Sequence, residues 1–116
     1  MRVAERLQRR ILKLPTNARV LLVLEDDLFH QRGRAVLRYY QQLFGRRRRF
    51  DAKPVGSILD LATLVRSRRY GLLLLSPVVW EHTPPRLRRS ALVDRMVDEP
   101  DPRSLEATRV AAGVLM

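Results

Sequence analysis

Two runs of nearly unbroken Val and Leu, Val20–Leu24 and Leu72–Leu75, each give way to polar residues at their C-terminal side. Continuous apolar runs of this length mark strands buried on both faces of a parallel sheet. Around them the spacing of apolar positions changes to a helical period. Val3, Leu7, Ile11 and Leu14 make one stripe of a leading helix that Pro15 ends. Phe29, Gly33, Val36, Leu37, Tyr40 and Phe44 make the face of a second helix, capped by Asp26 or Asp27 and closed by Gly45. A loop at Arg46–Arg49 leads to a weaker strand, Phe50–Val55, which Pro54 assigns to a sheet edge. Ser57 with Asp60 three residues on is a capping box opening a helix from Ile58 to Arg69, whose terminal Arg66, Arg68 and Arg69 complement the helix dipole.

Beyond Pro77 the pattern predicts a short helix from Pro85 to about Ser90, with Thr83 as its cap. Val93–Val97 fits either a helical face or a strand, and the alternation of the preceding elements favours the strand. Asp101-Pro102 then opens a final helix, Arg103 to Ala112, closed by Gly113. Strand and helix thus alternate through one domain, residues 1–116, with a leading helix over 1–15 and a βαβαβαβα core over 19–116. The expected architecture is a three-layer α/β fold: a parallel sheet of about four strands with helices on both faces and right-handed crossovers. The two strongest strands belong side by side at its centre.

Composition narrows this picture. With 116 residues, 46% of them hydrophobic, the chain supports one core. No apolar run approaches the roughly 18 residues of a membrane span. The charged amphipathic start lacks the apolar core of a secretion signal, so a cytoplasmic location without membrane contact is expected. The absence of cysteine removes disulfide and thiolate chemistry.

The formal charge of +11 invites a polyanion partner, yet of the 23 basic residues only Lys13 and Lys53 are Lys. So lopsided a ratio is what a GC-rich coding sequence would produce without selection for such a partner. The positive field still attracts phosphate backbones. Its densest tract, Arg46, Arg47, Arg48 and Arg49, is either a nucleic-acid contact or a solvated surface run. Only Phe50 adjoins it, so a base-stacking platform is missing, and no helix-turn-helix pattern is present; any binding is expected to be non-specific.

Ligands of open parallel sheets bind at the carboxyl ends of the strands. Those ends carry Glu25, Asp26 and Asp27 after the first strand, and Ser76 and Trp80 after the third, which makes them the candidate ligand-binding residues. Helix capping by Asp26 or Asp27 and a core role for Trp80 are the alternatives. His30 and His82 are isolated, Ser76 lacks the flanking glycines of a nucleophile elbow, and the glycines are scattered. No catalytic constellation, metal site or cofactor is therefore expected. The stripe Val3, Leu7, Ile11 and Leu14 is expected to be incompletely covered and to join two copies in a homodimer.

Two resemblances extend this. Val20-Leu-Leu-Val-Leu-Glu-Asp-Asp27 looks like the opening of a bacterial response-regulator receiver, in which an acidic pair holds magnesium beside a phosphorylated Asp ending the third strand. The resemblance implies a flavodoxin-like, doubly wound fold, while Ser76 at the third-strand position and the absence of a later Lys depart from the phosphorylation chemistry. Arg69-Tyr-Gly-Leu-Leu-Leu-Leu-Ser-Pro-Val-Val-Trp-Glu81, the Pro-Pro-Arg-Leu helix and Glu99-Pro-Asp-Pro-Arg-Ser-Leu-Glu106 are similar to the C-terminal regulatory domains of some GntR-type bacterial transcription regulators. That similarity implies a non-catalytic regulatory domain acting by dimerisation or effector binding, with a winged-helix DNA-binding partner supplied elsewhere. A small basic nucleic-acid-binding protein and an enzyme on a flavodoxin-like sheet are the alternatives.

Overall fold

Val20–Leu24 and Leu72–Leu75 are completely buried and form the two inner strands of a four-stranded sheet. A computed structural model describes residues 3–44 and 48–96. Helix α1 (Val3–Leu12) precedes β1 (Arg19–Leu24), α2 (Asp26–Phe44), β2 (Arg49–Pro54), α3 (Ile58–Ser67), β3 (Leu72–Leu75), α4 (Pro77–His82), α5 (Pro85–Arg88) and β4 (Val93–Arg95). The strand order is β2-β1-β3-β4, all parallel, with Val20 beside Phe50 on one side and Leu72 on the other. The fold is three-layered and flavodoxin-like. Pro54 lies, as expected, on the edge strand β2, where its missing N–H costs no ladder bond.

The alternation of a strand divides the inner leucines between two cores. On one face Val20, Leu22, Leu24, Leu72 and Leu74 meet Leu7 and Ile11 of α1, Val36 and Tyr40 of α2, Phe50 and Met96. On the other, Leu21, Val23, Leu73 and Leu75 meet Leu61 of α3, Tyr70 and Val93, with Val79, Trp80 and Leu87 packed against them. The near-continuous apolar runs follow from this two-sided burial.

The stripe assigned to a dimer contact is used within the chain. Leu7 and Ile11 are 0% and 1% exposed and Leu14 packs against the same core. What turns α1 inward is visible at β4. Asp94, buried and facing this layer, accepts bonds from Arg6 Nη2 at 2.9 Å and Arg10 Nη1 at 2.8 Å. Arg10 also donates to the carbonyls of Val93 and Ala91. A buried carboxylate requires such partners, and both lie on α1.

Two further expectations are corrected, and one helix appears that the spacing did not predict. The chain after Ser76 is helical at once as α4, because Ser76 caps it through Val79 N and Pro77 occupies its first turn. Thr83 does not cap α5; it closes α4, donating from Oγ1 to Val79 O at 2.6 Å, while Pro84 takes the cap position of α5 with no side-chain bond. Arg49 belongs to β2, and Arg48 is buried, donating to the carbonyls of Leu12 and Leu14, so it is not a free cation for a phosphate. The capping role of Ser57 is as expected, with Asp60 N donating to its Oγ at 3.2 Å. Gly45, Arg46, Arg47, Val97 and the final helix at 103–112 lie outside the described residues.

Candidate functional site

From β1 the chain passes through α2 to β2 on one side, and the later strands β3 and β4 lie on the other. This reversal makes the carboxyl end of the β1–β3 pair the topological switch point, where connecting segments diverge and leave a crevice. Ladder bonds continue past the strand ends: Val55 N donates to Leu24 O at 2.9 Å and Ser76 N to Val23 O at 3.0 Å. Glu25 is thereby held between the segments that open α3 and α4.

A cleft of about 350 Å³ occupies this position, lined by Glu25, Val55, Gly56, Ser57, Ile58, Leu61, Val78, Val79, His82 and Thr83. Its walls are mostly aliphatic and come from the β2–α3 turn, α3 and the α4 segment, with Glu25 added from the junction of β1 and α2. Ile58 and Val78 are 49% and 44% exposed, so apolar surface is left in water at its mouth. Gly56 narrows nothing: a Cβ built there would stand 3.7 Å from Asp26 Oδ2 and 4.0 Å from Asp60 Oδ2, which also places both carboxylates at this turn.

The polar groups divide by their freedom. Ser57 Oγ is engaged in opening α3 and Thr83 Oγ1 in closing α4. His82 Nδ1 lies 2.8 Å from Val78 O, and since a carbonyl only accepts, that nitrogen carries the proton and Nε2 is the ring's other polar atom. Ser76, fully buried, accepts from Val79 N at 3.3 Å and directs its hydroxyl toward Glu25 Oε2 at 3.4 Å. That contact is long but orients the half-buried Glu25 carboxylate from below. Glu25 is the charged carboxylate of the lining, and the lining contains no Lys or Arg.

Of the residues expected to bind a ligand, Glu25 lines the cleft and Ser76 supports it. Asp26 stands beside Gly56 in the first turn of α2, next to the exposed Asp27. Neither caps that helix; the carbonyl of Glu25 accepts its first bond, from Phe29 N at 2.9 Å. Trp80 turns into the core beneath Arg88, whose guanidinium lies 5.1 Å over its ring and donates to Trp80 O. The contributions of Val55, Leu61, Val78 and Val79 escaped sequence reasoning. Their signal was the carboxyl end of β2, which topology places beside that of β1, and the cap at Ser76, which starts α4 there.

Several exposed basic residues stand at the opposite end. Lys13 follows α1, Arg49 opens β2, and Arg68 and Arg69 lie between α3 and β3; all four are exposed. Arg19, also at this end, is bonded to Asp51 at 2.6 Å and lies over the Tyr70 ring. Among the described residues no group of His, Asp and Glu is placed to hold a metal ion, and no helix is long and apolar enough to cross a membrane. No family model, curated protein or solved structure matches this chain.

Proposed function

We propose that this chain is a non-catalytic regulatory α/β domain, of the kind associated with bacterial transcription control, and that it binds a small effector in the cleft at the β1–β3 switch point. The observation that carries this is the coincidence of three features at one place: the strand-order reversal, an aliphatic cleft of about 350 Å³, and a single oriented carboxylate, Glu25. Effector sites are mostly apolar concavities with few polar groups to fix orientation. A catalytic site would instead group a nucleophile with a base, and here Ser57, Ser76 and Thr83 are engaged in caps while His82 is tied to its own helix. Dimerisation through the α1 stripe forms no part of this reading, because Leu7 and Ile11 are core residues.

A screen of small molecules of mixed charge, followed by amide chemical shifts, tests it. Binders should shift Gly56, Val79 and Thr83, and Val78→Trp, which adds bulk at an exposed lining position, should abolish the effect. A protein that binds nothing there, or that turns a bound compound over, would refute the proposal.

The exposed Lys13, Arg49, Arg68 and Arg69 support a second activity, sequence-independent contact with nucleic-acid phosphates. Duplex binding should weaken steeply with salt and weaken further in Arg49→Gln/Arg68→Gln/Arg69→Gln. Binding unaffected by that triple change would locate the contact elsewhere.

A further inference from the structure

Resting on the ligand-binding reading above, we infer that the cleft selects an organic cation, a small amidinium, guanidinium or ammonium compound with an apolar body. Its charged head pairs with Glu25 and its body lies along Val55, Leu61 and Val79.

The charge of the whole chain points the other way, so the local arrangement has to decide. At physiological ionic strength a field is screened over about 8 Å. The basic amino ends of the strands are therefore largely silent at the carboxyl ends, and the groups that matter are those at the cleft. Among them are Glu25 in the lining and Asp26 and Asp60 beside Gly56, while the ammonium of Lys53 on β2 lies over the Tyr70 ring, 5.8 Å from its centroid. No Lys or Arg lines the space to neutralise them.

An anionic ligand meets a second obstacle. Phosphates and carboxylates in α/β folds usually sit on helix N-termini, using free N–H groups and the positive end of the dipole. Here the first turn of α2 carries Asp26 and Asp27, and that of α3 carries Asp60 with its N–H already given to Ser57. At α4 the Val79 N–H is given to Ser76. At α3 and α4 one first-turn N–H is thus taken by a capping oxygen, and the first turns of α2 and α3 carry carboxylates of their own that repel an anion. A wholly neutral apolar ligand would fill the aliphatic walls but leave the Glu25 carboxylate half-buried with only the long Ser76 contact. A cation satisfies both, and a planar amidinium or guanidinium matches a carboxylate in two parallel bonds.

Benzamidine, benzamide and benzoate have nearly the same shape and differ in charge, so they isolate the inference. Each is titrated at 0.15 M salt into the wild type, Glu25→Gln and Val78→Trp, following the amides of Gly56, Val79 and Thr83. Benzamidine should bind the wild type about tenfold more tightly than benzamide, and benzoate should leave these amides unmoved. Glu25→Gln should erase the difference between benzamidine and benzamide, and Val78→Trp should remove binding of both. Benzamide or benzoate binding as well as benzamidine overturns the cation preference while leaving the cleft a ligand site. Benzamidine binding undiminished in Glu25→Gln, or absent from the cleft, also overturns it. Ligand-free spectra of each variant report folding, and Glu25→Lys supplies an independent check: it should exchange benzamidine for benzoate.

Discussion

The two ends of the sheet are built by one rule and finished differently. In a parallel α/β fold every strand's carboxyl end and the following helix's N-terminus share one end of the molecule. Dipole compensation then draws Asp26, Asp27 and Asp60 to that end, while Arg9, Arg10 and Arg66 take the last turns of α1 and α3. A chain of formal charge +11 thus acquires a carboxylate-rich end. At the carboxyl end the diverging segments leave a cleft. At the amino end they close: Arg48 reaches under α1 to the Leu12 and Leu14 carbonyls, and a Cβ on Gly71 would stand 3.1 Å from that of Ala18. Net charge therefore says little about what the cleft at the carboxyl end would bind.

If the closed side is structural and the cleft is not, substitutions should separate by location. The largest effect is expected for Leu7→Glu, which buries an unpaired carboxylate in the core under α1. It should cost more than about 3 kcal/mol in urea unfolding and yield unfolded chain. A folded monomer released from a dimer would instead restore the stripe as an association surface. Arg48→Met keeps the buried stem but removes the donors to two carbonyls, and should cost about 2 kcal/mol by the same measurement. A change within 0.5 kcal/mol, the ordinary range for surface substitutions, would make the amino end as tolerant as the cleft.

Gly71→Val sharpens the contrast. Leu14 Cδ2 lies 3.5 Å from the new Cβ, and the backbone is fixed by Gly71 N donating to Arg19 O at 2.8 Å. A cost of about 1–2 kcal/mol from overpacking is expected. The smallest effect should come from Ile58→Ser, at a half-exposed position of the cleft wall. Stability should stay within about 0.5 kcal/mol, while affinity for cleft ligands falls. Loss of stability without loss of binding would reverse the assignment of that wall.

Legibility followed the range of the interaction involved. Val20–Leu24 and Leu72–Leu75 were readable as central strands because burial on both faces leaves no polar position in the run. Pro54 marked an edge because it lacks a donor, and Ser57 marked a helix start because its cap bond spans only three residues. The start of α4 was readable in principle, since Ser76-Pro77 is a cap followed by a first-turn proline, but the apolar Val78-Val79-Trp80 carries no helical period of its own.

The leading helix shows where sequence stops. Its amphipathic stripe establishes that Leu7 and Ile11 must be covered, yet a second copy and the chain's own sheet would cover it equally well. The choice rests on Asp94, more than eighty residues away, whose buried carboxylate needs Arg6 and Arg10. The cleft is of the same kind: Glu25, Val55 and Val79 become neighbours only through the parallel pairing of β2, β1 and β3. Periodicity and caps are local and are written in the order of residues, so the sequence by itself determined the strands, the longer helices before them, the sheet type and the acids at the first strand's end. Which apolar face meets which, and which acid overlooks an open space, depend on contacts between distant segments, and those the tertiary structure alone decided.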